Sequence, residues 1–355
     1  MSRLPAQLGF RMPAEWEPHE ATWIGWPHNL SDWPGKFAPI PWVYAEIVRK
    51  IVPGEIVRIL VNSKAHEVQS RRVLGRAGVE TARVEFFRSP TDRGWTRDFG
   101  PMFVKRDSSA ETAVVQFRFN GWAKYPNWKK DARVAPAVAR KYKYRMFTAV
   151  YRGKRVVLEG GSIDVNGRGS LLTTEECLLD GTVQPRNPQI GREALGAILR
   201  DYLGVRNTLW LGRGIAGDDT HGHVDDICRF VGPRTVVAAI EERKNDPNFE
   251  PLHENRERLE ALRLEDGSRL EVVLLPMPSP VFTDGQRLPA SYANFYVSNA
   301  AVLVPTFNDP KDRVALGILS DLFPGRSVVG IHSVDLVWGL GTLHCLTQQQ
   351  PAVGQ

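Results

Sequence analysis

Short runs of β-branched and leucine-rich residues alternate along this chain with stretches of helical spacing, and this alternation limits the fold more than any other feature. Ile56–Val61, Arg83–Phe87, Val114–Phe119, Arg155–Leu158, Asn207–Leu211, Thr235–Ile240, Leu270–Leu275, Asn299–Val304 and Ser327–Ile331 read as buried strands. Between them, Pro41–Ile51, Lys64–Ala77, Lys129–Lys141, Arg192–Leu203, Leu252–Leu262 and Asp309–Phe323 read as helices. The pattern predicts an α/β fold, and helix-plus-strand periods of roughly 60 residues suggest several related units. Pro and Gly fall singly between elements, with no linker or low-complexity tract, so residues 1–355 are expected to form one domain. With 355 residues, 42% of them apolar, such a chain can bury a large core.

The net charge of +6 raises the question of a polyanionic partner. The excess is local. Lys124, Lys129, Lys130, Arg133, Arg140, Lys141, Lys143 and Arg145 share segment 124–145 with a single acid, Asp131, and the rest of the chain is slightly acidic. Helical spacing makes this segment an outer helix with a solvated basic face, and nucleic acid is not expected as a partner. No apolar run reaches the length of a bilayer span, so no membrane partner is expected either. The stretch Met1–Glu20 lacks the apolar centre of a secretory signal, which predicts a cytoplasmic protein. Cys177, Cys228 and Cys345 are too few and too scattered for a disulfide framework or a compact zinc site. Cys177 and Cys228, in apolar company, read as packing residues.

Cys345 differs, because it follows the glycine-bearing run Gly339-Leu-Gly-Thr-Leu-His344 and precedes three glutamines, an odd composition for a core strand that suggests access to solvent. A cysteine nucleophile needs a partner base or a lowered pKa. The adjacent His344 points the other way on an extended chain. Gly217-Asp-Asp-Thr-His-Gly-His-Val-Asp225 offers a better partner, since His223 and Asp225 share one face of an extended segment, and His221 could join them. A metal site or a solvated turn remains the alternative. Trp95-Thr-Arg-Asp98 and Leu158-Glu159-Gly-Gly161 supply two further carboxylates, each of which alone could be a salt-bridge partner or cap. Together, a thiol, a histidine and three carboxylates suit a planar cation bearing several N–H donors, such as a guanidinium.

These stretches carry a family resemblance. W-x-R-D-x-G-P at 95–101, E-G-G-S-I at 159–163, T-T-E-E-C-L-L at 173–179, G-D-D-T-H-G-H-V-D at 217–225, A-S-Y-A-N-F-Y at 290–296 and H-C-L-T-Q-Q-Q-P at 344–351 resemble the agmatine deiminase and bacterial peptidyl-arginine deiminase group, in order from Met12 to Pro351. The resemblance implies the guanidino-modifying, or pentein, fold: a five-bladed pseudo-symmetric α/β propeller of ββαβ units around a central active-site channel. It implies Cys345 as nucleophile, His223 as general acid and base, Asp98 and Asp225 as guanidinium-holding carboxylates and Glu159 as the acid that orients substrate and histidine. The expected reaction is hydrolysis of agmatine to N-carbamoylputrescine and ammonia through an S-alkylthiouronium intermediate, a step of putrescine biosynthesis, with no cofactor and no metal. Another guanidino compound, peptidyl-arginine or an amidino-accepting amine are the alternatives. Trp95 and Trp122 are candidates to line the channel or serve the core, and Asp218 and Asp219 to bind the distal amine or cap a turn. The chain departs from the family pattern at Leu340 and Ala123, where glycine is usual, and at Phe99. A homo-oligomer is compatible with all of this.

Overall fold

The computed structural model describes residues 3–353 and holds five small sheets built on one plan. In each, a first strand pairs antiparallel with a second, and a helix carries the chain over to a third strand parallel to the second. Met102–Arg106, Glu111–Gln116 and Arg145–Thr148 form one such unit, with helix Val134–Tyr142 as the crossover. Asp164–Val165, Ser170–Thr174 and Asn207–Leu211 form the next, with helix Arg192–Leu203. Cys228–Phe230, Thr235–Ile240 and Glu271–Pro276 follow with helix Phe249–Ala261. Tyr296–Val297, Ala301–Thr306 and Ser327–His332 follow with helix Lys311–Leu322. The fifth unit joins the two ends of the chain: Thr347–Pro351 lies antiparallel to His19–Gly25, which pairs parallel with Ile56–Val61 across helix Ile40–Ile51. Val84–Arg88 extends that sheet by one strand. The ββαβ repeat expected from the resemblance is therefore present five times, and the parallel pairings explain why a helix must intervene each time.

The middle strand Val236–Ile240 is buried throughout and reads as an unbroken apolar run, as a strand covered on both faces should. Element boundaries moved where proline intervened. The helix expected over Lys129–Lys141 begins at Val134, which puts Pro136 in the first turn, where its missing N–H is harmless. Pro251 likewise sits in the first turn of Phe249–Ala261. Arg155–Leu158 is not a ladder strand. Lys154–Arg155 pairs only with Val150–Tyr151, and Val157 makes a single bridge to Arg118 before the chain turns at Gly160.

The basic segment is an outer helix: Val134, Ala135, Val138 and Ala139 face inward while Arg133, Arg140 and Lys141 are exposed. Its one acid, Asp131, is buried and accepts the Asp92 backbone N–H at 2.6 Å, tying the segment to the loop before Arg93.

The glutamine run reverses the expectation of solvent access. Thr347–Pro351 is a fully buried strand, and specific partners take up the side chains of Gln349 and Gln350. Gln350 Oε1 accepts from Trp23 Nε1 at 2.8 Å and from Arg58 Nη1 at 2.6 Å, its Nε2 donates to Tyr144 Oη at 2.6 Å, and Gln349 Oε1 accepts from Arg97 Nη1 at 2.6 Å. Removing Gln350 strands a buried indole N–H and a buried guanidinium N–H, so Gln350→Ala is expected to cost about 2–4 kcal/mol, read by urea unfolding followed by circular dichroism.

Candidate active site

The segment just before the first strand of each unit is a short turn, and each turn carries a polar residue toward a common centre. Asp98 lies in the helical turn Thr96–Phe99, Glu159 precedes the turn Gly160–Ser162, and His223 precedes Val224–Asp226, which holds Asp225. Asn294 stands two residues before Tyr296, and Cys345 sits in the turn Leu343–Leu346. His223 and Asp225 thus meet through a tight 3-10 turn rather than along the extended segment expected. Cys345 too lies on a helical turn.

Gly161 is the point around which the acids gather. Its N–H donates to Asp98 Oδ1 at 2.9 Å. A β-carbon there would stand 2.6 Å from His223 Nδ1, 2.9 Å from Asp98 Oδ1 and 3.0 Å from Asp225 Oδ2, so only glycine allows the three side chains to close in. His223 lies between two carboxylates, with Nδ1 3.9 Å from Asp98 Oδ1 and Nε2 3.8 Å from Glu159 Oε2. Neither ring nitrogen has a hydrogen-bond partner in the protein. Glu159 is held from behind by Arg186, whose Nε lies 3.2 Å from Oε1 with both side chains fully buried.

The thiol is oriented from its own side. Asn294 Nδ2 donates to Cys345 Sγ at 3.2 Å and to Asp226 Oδ1 at 2.9 Å, and its Oδ1 accepts from His344 N at 3.0 Å and Thr342 Oγ1 at 2.8 Å. Asp225 Oδ2 is 3.8 Å from Sγ. His344 spans two carboxylates: Nδ1 is 2.6 Å from Asp225 Oδ2, the oxygen that Cys345 Sγ also approaches, and Nε2 is 2.8 Å from Glu15 Oε2. Sequence reasoning missed Glu15 and Asn294, although Asn294 lies inside the A-S-Y-A-N-F-Y stretch. Glu15 also meets Arg97 Nη2 at 3.2 Å and Arg229 Nη2 at 3.0 Å.

Cys345 and Asp98 face a cavity of about 200 Å3 whose walls include Trp95, Trp122, Tyr125, Asp219 and Leu340. Glu159, His223 and Asp225 are fully buried beside it, with Asp225 Oδ2 3.8 Å from the Cys345 sulfur. Trp122 serves twice, as a wall and as a donor from Nε1 to Asp98 Oδ2 at 2.8 Å. Trp95 packs on Trp33, ring centroids 5.3 Å apart. Asp218 does not reach the cavity. Its two oxygens hold the loop by accepting the backbone N–H groups of Thr220, Gly222 and His223 at 2.7, 2.7 and 3.1 Å, which aims His223. The neighbouring Asp219 is on the wall instead, bonded to Lys124 Nζ at 2.5 Å and Tyr125 Oη at 2.7 Å. His221 faces outward to Asp180 at 2.8 Å. Leu340 and Ala123 adopt φ values of 68° and 53°, a conformation that favours the glycine usual at both positions.

Burial and charge set the protonation states. Burial, reinforced by Asp225, Asp226 and Asp98, pushes the Cys345 thiol well above the ordinary cysteine range. Burial alone would lower His223, but the charge of Asp98 and contacts with Cys177 and Glu159 hold it well above an ordinary histidine. Burial raises Asp98. For Glu159 the penalty of burial is outweighed by Arg186 and His223, and for Asp225 by His344 and His223, so both carboxyls stay below their usual range. Burial, with Asp225 and Asp218 nearby, drives Asp226 well above the ordinary aspartate range.

Cys177 packs in the apolar core, as expected, and also borders the site. Its sulfur, a Glu159 oxygen and a His223 nitrogen lie within 4.8 Å of one another, the one such group among the described residues able to hold a metal. Arg186 already neutralises Glu159, and a dication beside that guanidinium is electrostatically opposed, so the residues fit a metal poorly. Cys228 is buried apolar filling, as expected.

A match to the Porphyromonas-type peptidyl-arginine deiminase family spans residues 11–351. The chain belongs to this family. Agmatine deiminase of Stutzerimonas stutzeri is 36% identical to it over 375 residues, covering 99% of this chain and 98% of that one. Agmatine deiminase of Enterococcus faecalis superposes with a TM-score of 0.91 at 33% identity, over 100% of this chain and 99% of its own. A C. jejuni agmatine deiminase solved with substrate bound gives a TM-score of 0.84 at 28% identity, over 96% of each chain. The five ββαβ units are thus the guanidino-modifying fold. Among the described residues no helix is long and apolar enough to cross a membrane.

Because Cys177 raises His223, Cys177→Ala should move the basic limb of the kcat–pH profile to lower pH, and Cys177→Ser should restore most of the shift. A residue that merely packs would change Tm and leave the profile in place.

Proposed function

We propose that this member of the family hydrolyses agmatine to N-carbamoylputrescine and ammonia, and that the whole chain acts as one catalytic domain, since the five turns that build the site come from all five units. The convergence of Asp98, Asp225 and His223 on Gly161, beside Cys345 and over Glu159, carries this reading. Asp98 and Asp225 accept the N–H groups of the guanidinium and localise its positive charge near the thiol. Cys345 gives up its thiol proton to solvent as the cation binds. The thiolate attacks the guanidinium carbon while His223 gives a proton to the departing nitrogen, and the C–N bond breaks to release ammonia and leave an S-alkylthiouronium. His223 next takes a proton from water, which adds to the same carbon. The C–S bond breaks, the ureido product forms, and the thiol is restored. Glu159, held by Arg186, keeps His223 charged before the first step.

The free protein resists premature thiolate formation, because carboxylates surround the sulfur. A bound guanidinium offsets those charges, so the cation that is to be attacked also favours the attacking anion. The alkyl chain runs outward between Trp95 and Trp122, and the distal ammonium approaches Asp219. A cavity of about 200 Å3 suits a guanidino group on a short alkyl chain. Three free, buried cysteines suit a reducing compartment, and we place the enzyme in the cytoplasm.

Agmatine, arginine, methylated arginine and an arginine peptide, assayed for ammonia and ureido product, should rank agmatine first by kcat/KM. Transfer of the amidino group to an added amine without ammonia release would overturn the hydrolase reading. Cys345→Ala should abolish turnover with circular dichroism unchanged, and residual activity would reject Cys345 as the nucleophile. Alkylation of Cys345 by iodoacetamide in the free enzyme should keep rising with pH beyond the range where an ordinary cysteine levels off. Asp219→Asn should raise KM for agmatine about tenfold, the loss of about one charge pair, while leaving a methylguanidine substrate unchanged.

A further inference from the structure

A second cavity, of about 430 Å3, opens on the other side of the Glu159 turn. Arg118, Lys154, Arg155 and Arg186 line it, and no carboxylate does. Many cations in this chain are paired with acids, as Arg58 is with Glu20 and Glu85, Arg106 with Glu111 and Arg243 with Glu241. The cations lining this cavity, Arg186 aside, are not. Lys154 Nζ donates only to the neutral Gln189 Oε1 at 3.1 Å, and Arg118 lies over the Trp128 ring, 5.6 Å from its centroid. Burial and the nearby charge of Arg118 together hold Arg155 below the ordinary arginine range, with no acid raising it. Three side chains of like charge are therefore brought together with nothing in the protein to balance them.

The wall opposite is built rather than loose. Asn187 accepts Val157 N–H with its Oδ1 at 2.9 Å and donates to Val157 O with its Nδ2 at 2.8 Å, fixing the loop to the strand edge. Arg186 forms the inner end. Its guanidinium is fully committed to Glu159, to Gln184 O at 3.0 Å and to Thr220 O at 2.6 Å, and Thr220 lines the catalytic cavity. The free donors of the second cavity are thus Arg118, Lys154 and Arg155, beside an apolar patch of Val157, Pro188 and Ile190.

We propose that this cavity binds a small phosphorylated anion, with the phosphate oxygens on Arg118, Lys154 and Arg155 and the organic body against Pro188 and Ile190. Guanidinium forks match phosphate oxygens in pairs, and three cations balance the two to three negative charges of a phosphate or diphosphate better than a single carboxylate. The site is separate from the guanidinium pocket and owes nothing to the reading of its chemistry. Arg186 leaves one residue between the two.

Isothermal titration of the full chain with inorganic pyrophosphate at fixed ionic strength tests this. Saturable binding at one site per chain is expected, weakened at least tenfold in an Arg118→Ala/Arg155→Ala variant. Both side chains are exposed, so the variant should fold, and an unchanged Tm checks it. Failure to saturate, or equal binding by the variant, would overturn the proposal. Citrate binding as tightly as pyrophosphate would overturn the assignment to phosphate.

Discussion

The structure depends on how buried carboxylates are kept charged. Glu15, Glu159, Asp98 and Asp225 are all buried, and isolation of such groups from water costs several kcal/mol each. The protein meets that cost with cations placed behind the acids rather than in front of them. Arg186 backs Glu159, while Arg97 and Arg229 back Glu15, which holds His344, which in turn reaches Asp225. Apart from His223, no cation among the described residues faces the thiol from that side. A guanidinium fills that gap. Catalytic groups and scaffold are in this sense one electrostatic arrangement, and breaking a pair at its back would disturb the front.

The fivefold repetition explains how such a dense site is assembled. Each ββαβ unit ends in a parallel strand, and the connection that follows closes with a short turn just before the next unit begins. Five turns pointing to one centre give five independent places to mount a side chain. Because each turn is anchored to a buried strand, the side chains need little ordering when substrate arrives, and pre-organisation of this kind is what favours charge development in a transition state. Gly161 is the clearance that allows the convergence, since any side chain there would occupy the space of three others.

Much of the fold was legible because strands buried on both faces must be apolar and helices must cross between parallel strands. Thr235–Ile240 and Arg192–Leu203 lie where the periodicity places them. Strands such as His19–Gly25, Met102–Arg106 and Thr347–Pro351 escaped that reasoning. In the last, the burial of Gln349 and Gln350 makes sense only once Trp23, Arg58, Arg97 and Tyr144 are seen to bond them. Helix starts were misplaced where a proline fits the first turn but not the interior. Asp218 and Asp219 were interchangeable in sequence, and the tertiary fold separated them, one spent on backbone amides and the other on the cavity wall.

The sequence by itself determined the chemical kinds present: a lone cysteine after a glycine-bearing run, a histidine two residues from an aspartate, carboxylates beside glycines, and the ordered motifs that link the chain to its family. Those are properties of residue type and local spacing. Tertiary structure alone decided which of them meet. Glu15, Asn294 and Cys177 are distant from Cys345 or His223 along the chain, and their roles rest on contacts of a few ångströms between units. The unpaired charges around Arg118 and Arg155 belong to the same class, because whether a cation has a partner depends on what lies across the fold, and spacing along the chain does not record it.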